Sequence, residues 1–229
     1  MNMTYTGIPP AGLLLLARNR VEDSKDFYDA HKDELKRMVF APLAQIAGAL
    51  EEDFMRLDPK MFYVPARMIS RARRDTRFTK EKHMYRDSVW AMFMRPKDDY
   101  PFLWPCFWFE VKPAQGFWSC GVCVYDQTPK FMQFVRERID KEFFAAANKA
   151  IKAGAVLECE SYKKDRAPDA DKRLKPYLNA KTFMFKYTCE DLSMLESDAV
   201  IDHLRQIYKA CHPMYAWLQK AAEEYISSI

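Results

Sequence analysis

From Ser24 to about Leu50 the apolar residues return at helical spacing, first Phe27, Tyr28, Leu35, Met38 and Val39, then Leu43, Ile46, Ala47 and Leu50. Ser24 stands where an N-cap belongs. Pro42 has no amide proton to give a helix interior, which predicts two helices or one kinked helix in this N-terminal layer. The period then shortens. "DSVWAMFMRP", "PCFWFEVKP" and "GFWSCGVCVYD" are brief aromatic and β-branched runs bounded by Pro, Gly or Asp, the pattern of strands. Their close spacing predicts antiparallel hairpins rather than crossovers through helices, with a sheet core over residues 88–125.

Helical spacing resumes behind Thr128-Pro129, a cap followed by a proline in the first turn. Phe131, Val135, Ile139, Phe143, Ala146 and Ala150 share one face, which predicts a long amphipathic helix, and Gly154 offers a left-handed exit. A short apolar run at Val156 and Leu157 follows, then a charged loop and a strand-like "TFMFKY" at 182–187. Ser193 and Glu196 fit a capping box. Leu195, Ala199, Leu204, Ile207, Tyr208 and Cys211 carry a helix to His212-Pro213, and Trp217, Ala221 and Tyr225 mark a final helical segment. The expected fold class is α+β, an aromatic-rich, largely antiparallel sheet packed against N-terminal, central and C-terminal helices. With 229 residues, about half of them hydrophobic, and no Gly, Ser or Pro-rich linker, the expectation is a single domain spanning 1–229.

Charge changes the picture locally. The chain carries 36 basic and 32 acidic residues, a net of +4. The stretch "RARRDTRFTKEKHMYRD", residues 71–87, holds seven Arg and Lys against three Asp and Glu, so its own excess equals that of the whole protein. A second basic stretch, "YKKDRAPDADKRLKP", contains Lys163, Lys164, Arg166, Lys172, Arg173 and Lys175. If residues 69–78 form a strand, Ile69, Arg71, Arg73, Asp75 and Arg77 share one face and Ser70, Ala72, Arg74, Thr76 and Phe78 the other. Three guanidiniums then face one carboxylate. An arginine fork binds a carboxylate or phosphate through two parallel bonds, a geometry lysine cannot reproduce.

Three readings of this segment stand side by side. It is an internal ion-pair scaffold answered by carboxylates such as Asp75 and Glu110, giving a structural or adaptor protein. It is an anion pocket for a phosphate-bearing small molecule, walled by Arg71, Arg73, Arg77 and Lys82. Or it binds nucleic acid, with Phe78, Tyr85 and Trp90 stacking on bases. The anion-binding reading takes Arg71, Arg73, Arg74, Asp75, Arg77, Lys80, Lys82 and Arg86 as ligand-binding residues. A hydrolytic or phosphoryl-transfer enzyme would use the same pocket, with His83, Tyr85 and Glu110 as its catalytic candidates.

The motif "ISRARRDTRFTKEKHMYRD" resembles the signature of the DUF2461 family, in which an arginine precedes Arg-Asp-x-Arg-Phe, a Ser/Thr-Lys-Asp/Glu-Lys run, a proline and Tyr-Lys. Arg71, Arg74, Asp75, Arg77, Phe78, Lys80, Glu81, Lys82 and Tyr85 match, whereas Met84 stands in place of the proline and Arg86 in place of the lysine. "LLLLARNRVEDSKDFYDAHKDEL" is similar to the family's N-terminal pattern, and "FWFEVKP" with "GFWSCGVCVY" to its paired aromatic strands. The charged loop after Glu160 departs from it. The resemblance implies an α+β fold and singles out the arginine segment; it implies no particular chemistry.

Other signals are weaker. Cys120 and Cys123 have C-x-x-C spacing, but they lie in a strand-like run, where they would face opposite sides, and no helix follows immediately. Zinc would need two further ligands, and neither a second C-x-x-C nor H-E-x-x-H occurs, so no metal site is expected and no cofactor is specified. The six cysteines read as packing thiols of a reducing compartment. No P-loop, dinucleotide glycine fingerprint or Gly-x-Ser-x-Gly elbow is present. Leu13–Leu16 is bounded by Gly12 and Arg18, too short for a signal core or a membrane span, which predicts a soluble cytoplasmic protein with no membrane partner.

Overall fold

The computed structural model describes residues 5–77, 80–96, 103–124 and 128–229. Helices α1 (Pro10–Glu22), α2 (Lys25–Leu35), α3 (Ala41–Ala49), α4 (Glu51–Leu57) and the single turn α5 (Pro65–Met68) form the N-terminal layer. Ser24 caps α2, its hydroxyl accepting from the Phe27 amide at 3.4 Å. Helical backbone continues through Pro42 without a break. A π-helical turn, Lys36–Phe40, joins α2 to α3, so Pro42 enters in the first turn of α3, where its missing amide costs little. The widened turn also makes room where the proline ring would meet the carbonyl of Met38. Helix α1 crosses this turn at Gly12, where an added Cβ would stand 2.9 Å from the Met38 Cβ.

Strands β1 (Val89–Met94), β2 (Pro105–Lys112), β3 (Phe117–Val124), β4 (Val156–Leu157) and β5 (Met184–Cys189) form one antiparallel sheet in the order β1-β2-β3-β5-β4. The expected aromatic hairpins are its centre. Because side chains alternate, Phe93, Phe107, Val122 and Phe185 point into the main core, together with Ala91, Phe109 and Cys120. The opposite face carries a smaller apolar cluster of Met94, Cys106, Trp108 and Cys123. Gly121 lets β3 approach β5 closely, since a Cβ there would fall 1.9 Å from the Phe185 carbonyl oxygen.

Helix α9 (Ala199–Ser227) covers the core face: Tyr215 stacks on Phe107 at 4.7 Å, and the Tyr208 hydroxyl donates to the Trp108 carbonyl at 3.0 Å. It runs straight through Pro213, whereas the proline was expected to end one helix before another began. Proline inside a helix costs about 3 kcal/mol. Met214, Tyr215 and Leu218 are fully buried beside it, each contributing about 1.5–3 kcal/mol, which offsets that cost. The start of this helix also differs from expectation. Ser193 and Glu196 sit in a 3-10 turn capped by Asp191, whose carboxylate accepts from the Ser193 amide at 2.9 Å.

The predicted long helix after Thr128 is two helices, α6 (Pro129–Glu137) and α7 (Lys141–Lys152). Asp140 breaks it by capping α7, accepting from the Phe143 amide at 2.8 Å. The apolar stripe survives the break, with Phe131, Val135, Phe143, Ala146 and Ala150 all buried. Helix α8 (Lys175–Leu178) is a single turn within the charged loop. Among the described residues no helix is long and apolar enough to cross a membrane.

Two hairpins extend the sheet at its opposite edges. Beyond β1, residues 69–74 pair with 84–91 through the bridges Ile69–Ala91 and Arg73–Tyr85 and the bond from the Ser70 amide to the Trp90 carbonyl, 2.7 Å. Beyond β4, residues 158–162 pair with 179–184, the Tyr162 amide donating to the Asn179 carbonyl at 2.9 Å. The two basic stretches of the sequence belong to these two hairpins, so the sheet separates them.

Candidate functional site

The arginine segment keeps strand-like alternation from Ile69 to Arg74. Ser70 and Ala72 are buried and Arg74 is turned inward, while Arg71 and Arg73 are exposed. The two classes meet different surroundings. Arg74 bonds Glu81 at 2.7 Å, and Arg20 of α1 reaches the other oxygen of the same carboxylate. The Glu81 carboxyl is lowered by its hydrogen bonds to Arg74 and Arg20. Past Arg74 the pairing ends and the chain turns. There Arg77 grips Asp75 with a fork, Nε at 3.0 Å and Nη2 at 2.7 Å, and these bonds hold the Asp75 carboxyl down to about 2. Lys82 donates to the Thr76 carbonyl at 3.0 Å. Phe78 lies outside the described residues.

One residue from α1 positions this hairpin. Asp23 follows α1 in the left-handed region, φ 44°, which aims its side chain across the ribbon. Its Oδ1 accepts from the amides of Met84 (2.7 Å) and Tyr85 (3.0 Å), and its Oδ2 lies 3.3 Å from His83 Nδ1. Tyr85 is buried and stacks on Tyr28 of α2 at 4.9 Å; burial raises its hydroxyl above the usual phenol range.

On the outer side of the ribbon, a groove of about 720 Å³ opens between α2, the π turn, α5 and residues 69–73. Arg71 and Arg73 line it with Lys32, Lys36 and Arg67, against a single lining carboxylate among the described residues, Asp33. None of the five cations makes an ion pair among the described residues. Exposed guanidiniums stay hydrated at little cost, so folding demands no partner for them. Gathered around one concavity, they set up a positive field that concentrates anions.

The sequence-derived site therefore divides. Arg71 and Arg73 face the groove. Arg74, Asp75, Arg77 and Lys82 are engaged within the hairpin. Lys80 is exposed, and Arg86 lies over the Trp90 ring at 5.6 Å. Of the catalytic candidates, His83 is held by Asp23 and Tyr85 is stacked inside. Glu110 lies on β2, opposite Trp90 and 3.4 Å from Lys112. None of the three lines the groove. Cys120 faces the main core, where burial pushes its thiol up, and Cys123 faces the other side, its sulfur 3.4 Å from that of Cys106. Sequence reasoning missed Lys32, Lys36 and Arg67; the available signal was the four-residue spacing of Lys32 and Lys36 on one helical face.

A family model described as "Conserved hypothetical protein (DUF2461)" matches residues 12–217. Comparison with curated proteins and with solved structures gives no match.

Proposed function

The chain belongs to the DUF2461 family, and from that premise, which prescribes no chemistry, we propose that it binds a phosphate-bearing small molecule in the groove lined by Arg71 and Arg73. The observation that carries this reading is the contrast within one segment. Arg74 and Arg77 each end on a carboxylate, while Arg71 and Arg73 end on none among the described residues and border an open concavity. In this reading the two guanidiniums supply forked, charge-assisted bonds to phosphate oxygens, and Lys32, Lys36 and Arg67 add charge around them. The ion pairs of Arg20, Arg74 and Glu81, with the Asp23 carboxylate, act as the frame that holds the ribbon against α1 and its C-terminal end. Scaffold and pocket are thus two sides of one ribbon.

Binding is favoured over turnover because the lining offers one carboxylate, Asp33, and no histidine. It is favoured over nucleic acid because Tyr85 is buried in its stack with Tyr28 and is unavailable to a base. Calorimetric titration with pyrophosphate and a panel of phosphorylated metabolites tests it. Saturable binding is expected, with the component held by this groove lost in Arg71→Ala/Arg73→Ala and kept in Lys80→Ala, and with no turnover of the bound compound. An isotherm unchanged by the double substitution would refute the assignment.

A further inference from the structure

At the opposite edge of the sheet, a groove of about 970 Å³ lies between α6 and the β4–β5 hairpin. Its innermost cation is Arg136 of α6, only 9% exposed. The Arg136 guanidinium donates to two neutral oxygens, the Ala180 carbonyl at 3.1 Å and the Tyr162 hydroxyl at 3.5 Å, and lies 5.1 Å from the Tyr162 ring centroid. It meets no carboxylate among the described residues. Arg166 lies against the same ring at 4.1 Å, and Lys163 and Lys164 complete the wall.

Among the described residues the lining has two carboxylates, and neither bonds Arg136. Glu137 accepts from Gln133 at 2.9 Å. Asp165 accepts from the Ala167 amide, Asn179 and Lys175 at 2.9, 3.0 and 3.0 Å. Lys181, also in the lining, pairs with Glu160 outside it. A buried guanidinium is stable only when a counter-charge or enough hydrogen bonds replace its water, and here protein supplies two bonds and no charge. The open groove gives an anion a route to it.

We infer that this groove is a second anion site, independent of the first, which takes a multiply charged phosphate of a small molecule such as a diphosphate group. Arg136, the most buried of these cations, binds first, and Lys163, Lys164 and Arg166 close around the remaining oxygens. A nucleic-acid strand fits less well, because among the described residues Tyr162 is the sole aromatic of the lining and its ring already rests against guanidiniums.

The test uses the full chain carrying Arg71→Ala/Arg73→Ala, so that its outcome does not depend on the first groove. Pyrophosphate is titrated at fixed ionic strength, with sulfate as the comparison. Pyrophosphate is expected to bind tighter than sulfate and to raise the Tm. Adding Lys163→Ala/Lys164→Ala/Arg166→Ala, all exposed positions that leave the fold intact, is expected to weaken it at least about tenfold. Arg136→Lys, which keeps the charge and loses the fork, is expected to weaken it as well. Equal affinity in the triple variant, or no preference over sulfate, would overturn the assignment. So would an RNA oligonucleotide that displaces pyrophosphate with a steep salt dependence, which would make the groove a nucleic-acid surface.

Discussion

Arg95 and Arg71 stand near opposite ends of the first sheet edge and have opposite surroundings. Arg95, immediately after β1, is 7% exposed and bonds Asp58 through Nε at 2.8 Å and Glu223 through Nη1 at 2.8 Å, with the Trp104 ring 4.7 Å away. Asp58, 2% exposed, also accepts from the Tyr215 hydroxyl at 2.7 Å and the Lys60 amide at 3.0 Å. Every strong group in that cluster is answered, and it ties the segment after α4 to β1 and α9. Arg71 is exposed, faces a groove and ends on no carboxylate among the described residues. An arginine sealed among acids serves stability; one left facing a shared concavity is available to a ligand. Identical side chains take these roles because burial imposes a partner and exposure does not.

The sharpest way to break this comparison is Asp58→Ala, which removes the buried partner of Arg95, leaving it only Glu223, and takes the acceptor from the Tyr215 hydroxyl. It is expected to cost about 3–5 kcal/mol in urea unfolding. A loss under about 1 kcal/mol would mean the cluster is not the stabilising half of the contrast. Asp23→Ala comes next. It leaves the amides of Met84 and Tyr85 without their acceptor and is expected to cost about 1–3 kcal/mol, with faster hydrogen exchange at those two amides.

Acid sharpens the comparison further. Burial pushes the Asp58 carboxyl up, but its hydrogen bonds to Arg95 and Tyr215 more than offset this and the net direction is down. A carboxyl lowered by folding stabilises the native state above its unfolded value, and that contribution disappears as pH falls through the folded value. Stability should therefore drop below about pH 4, the range of an unperturbed aspartate, and Asp58→Asn should flatten that limb. Urea midpoints of the two proteins between neutral pH and pH 3 check it. The smallest effect belongs to Arg71→Ala/Arg73→Ala, expected to change stability by no more than about 0.5 kcal/mol while removing the anion binding assigned to that groove.

Much of the fold was legible because it depends on local period. The aromatic strands, the antiparallel pairing and the outward aim of Arg71 and Arg73 all follow from alternation between neighbours. What was not legible depends on distant partners. The π turn before Pro42, the break at Asp140 and the unbroken run through Pro213 arise where packing or capping overrides the simplest reading of a helix. Arg77 and Lys82 were expected on the groove wall with Arg71. They lie beyond the last ribbon pair, where the turn returns Arg77 to Asp75 and Lys82 to Thr76. Asp23 lies 61 positions before Met84, and nothing local in either segment announces that one carboxylate holds both amides. Arg136 reads as an ordinary helix residue until the β4–β5 hairpin folds over it.

The most direct measurement follows the arginine Nε–Hε resonances by NMR as pyrophosphate is added. The shifts of Arg71 and Arg73 should move and saturate together while those of Arg95 and Arg74 stay fixed. Stationary Arg71 and Arg73 signals, or equal movement of all four, would contradict the division between answered and unanswered arginines.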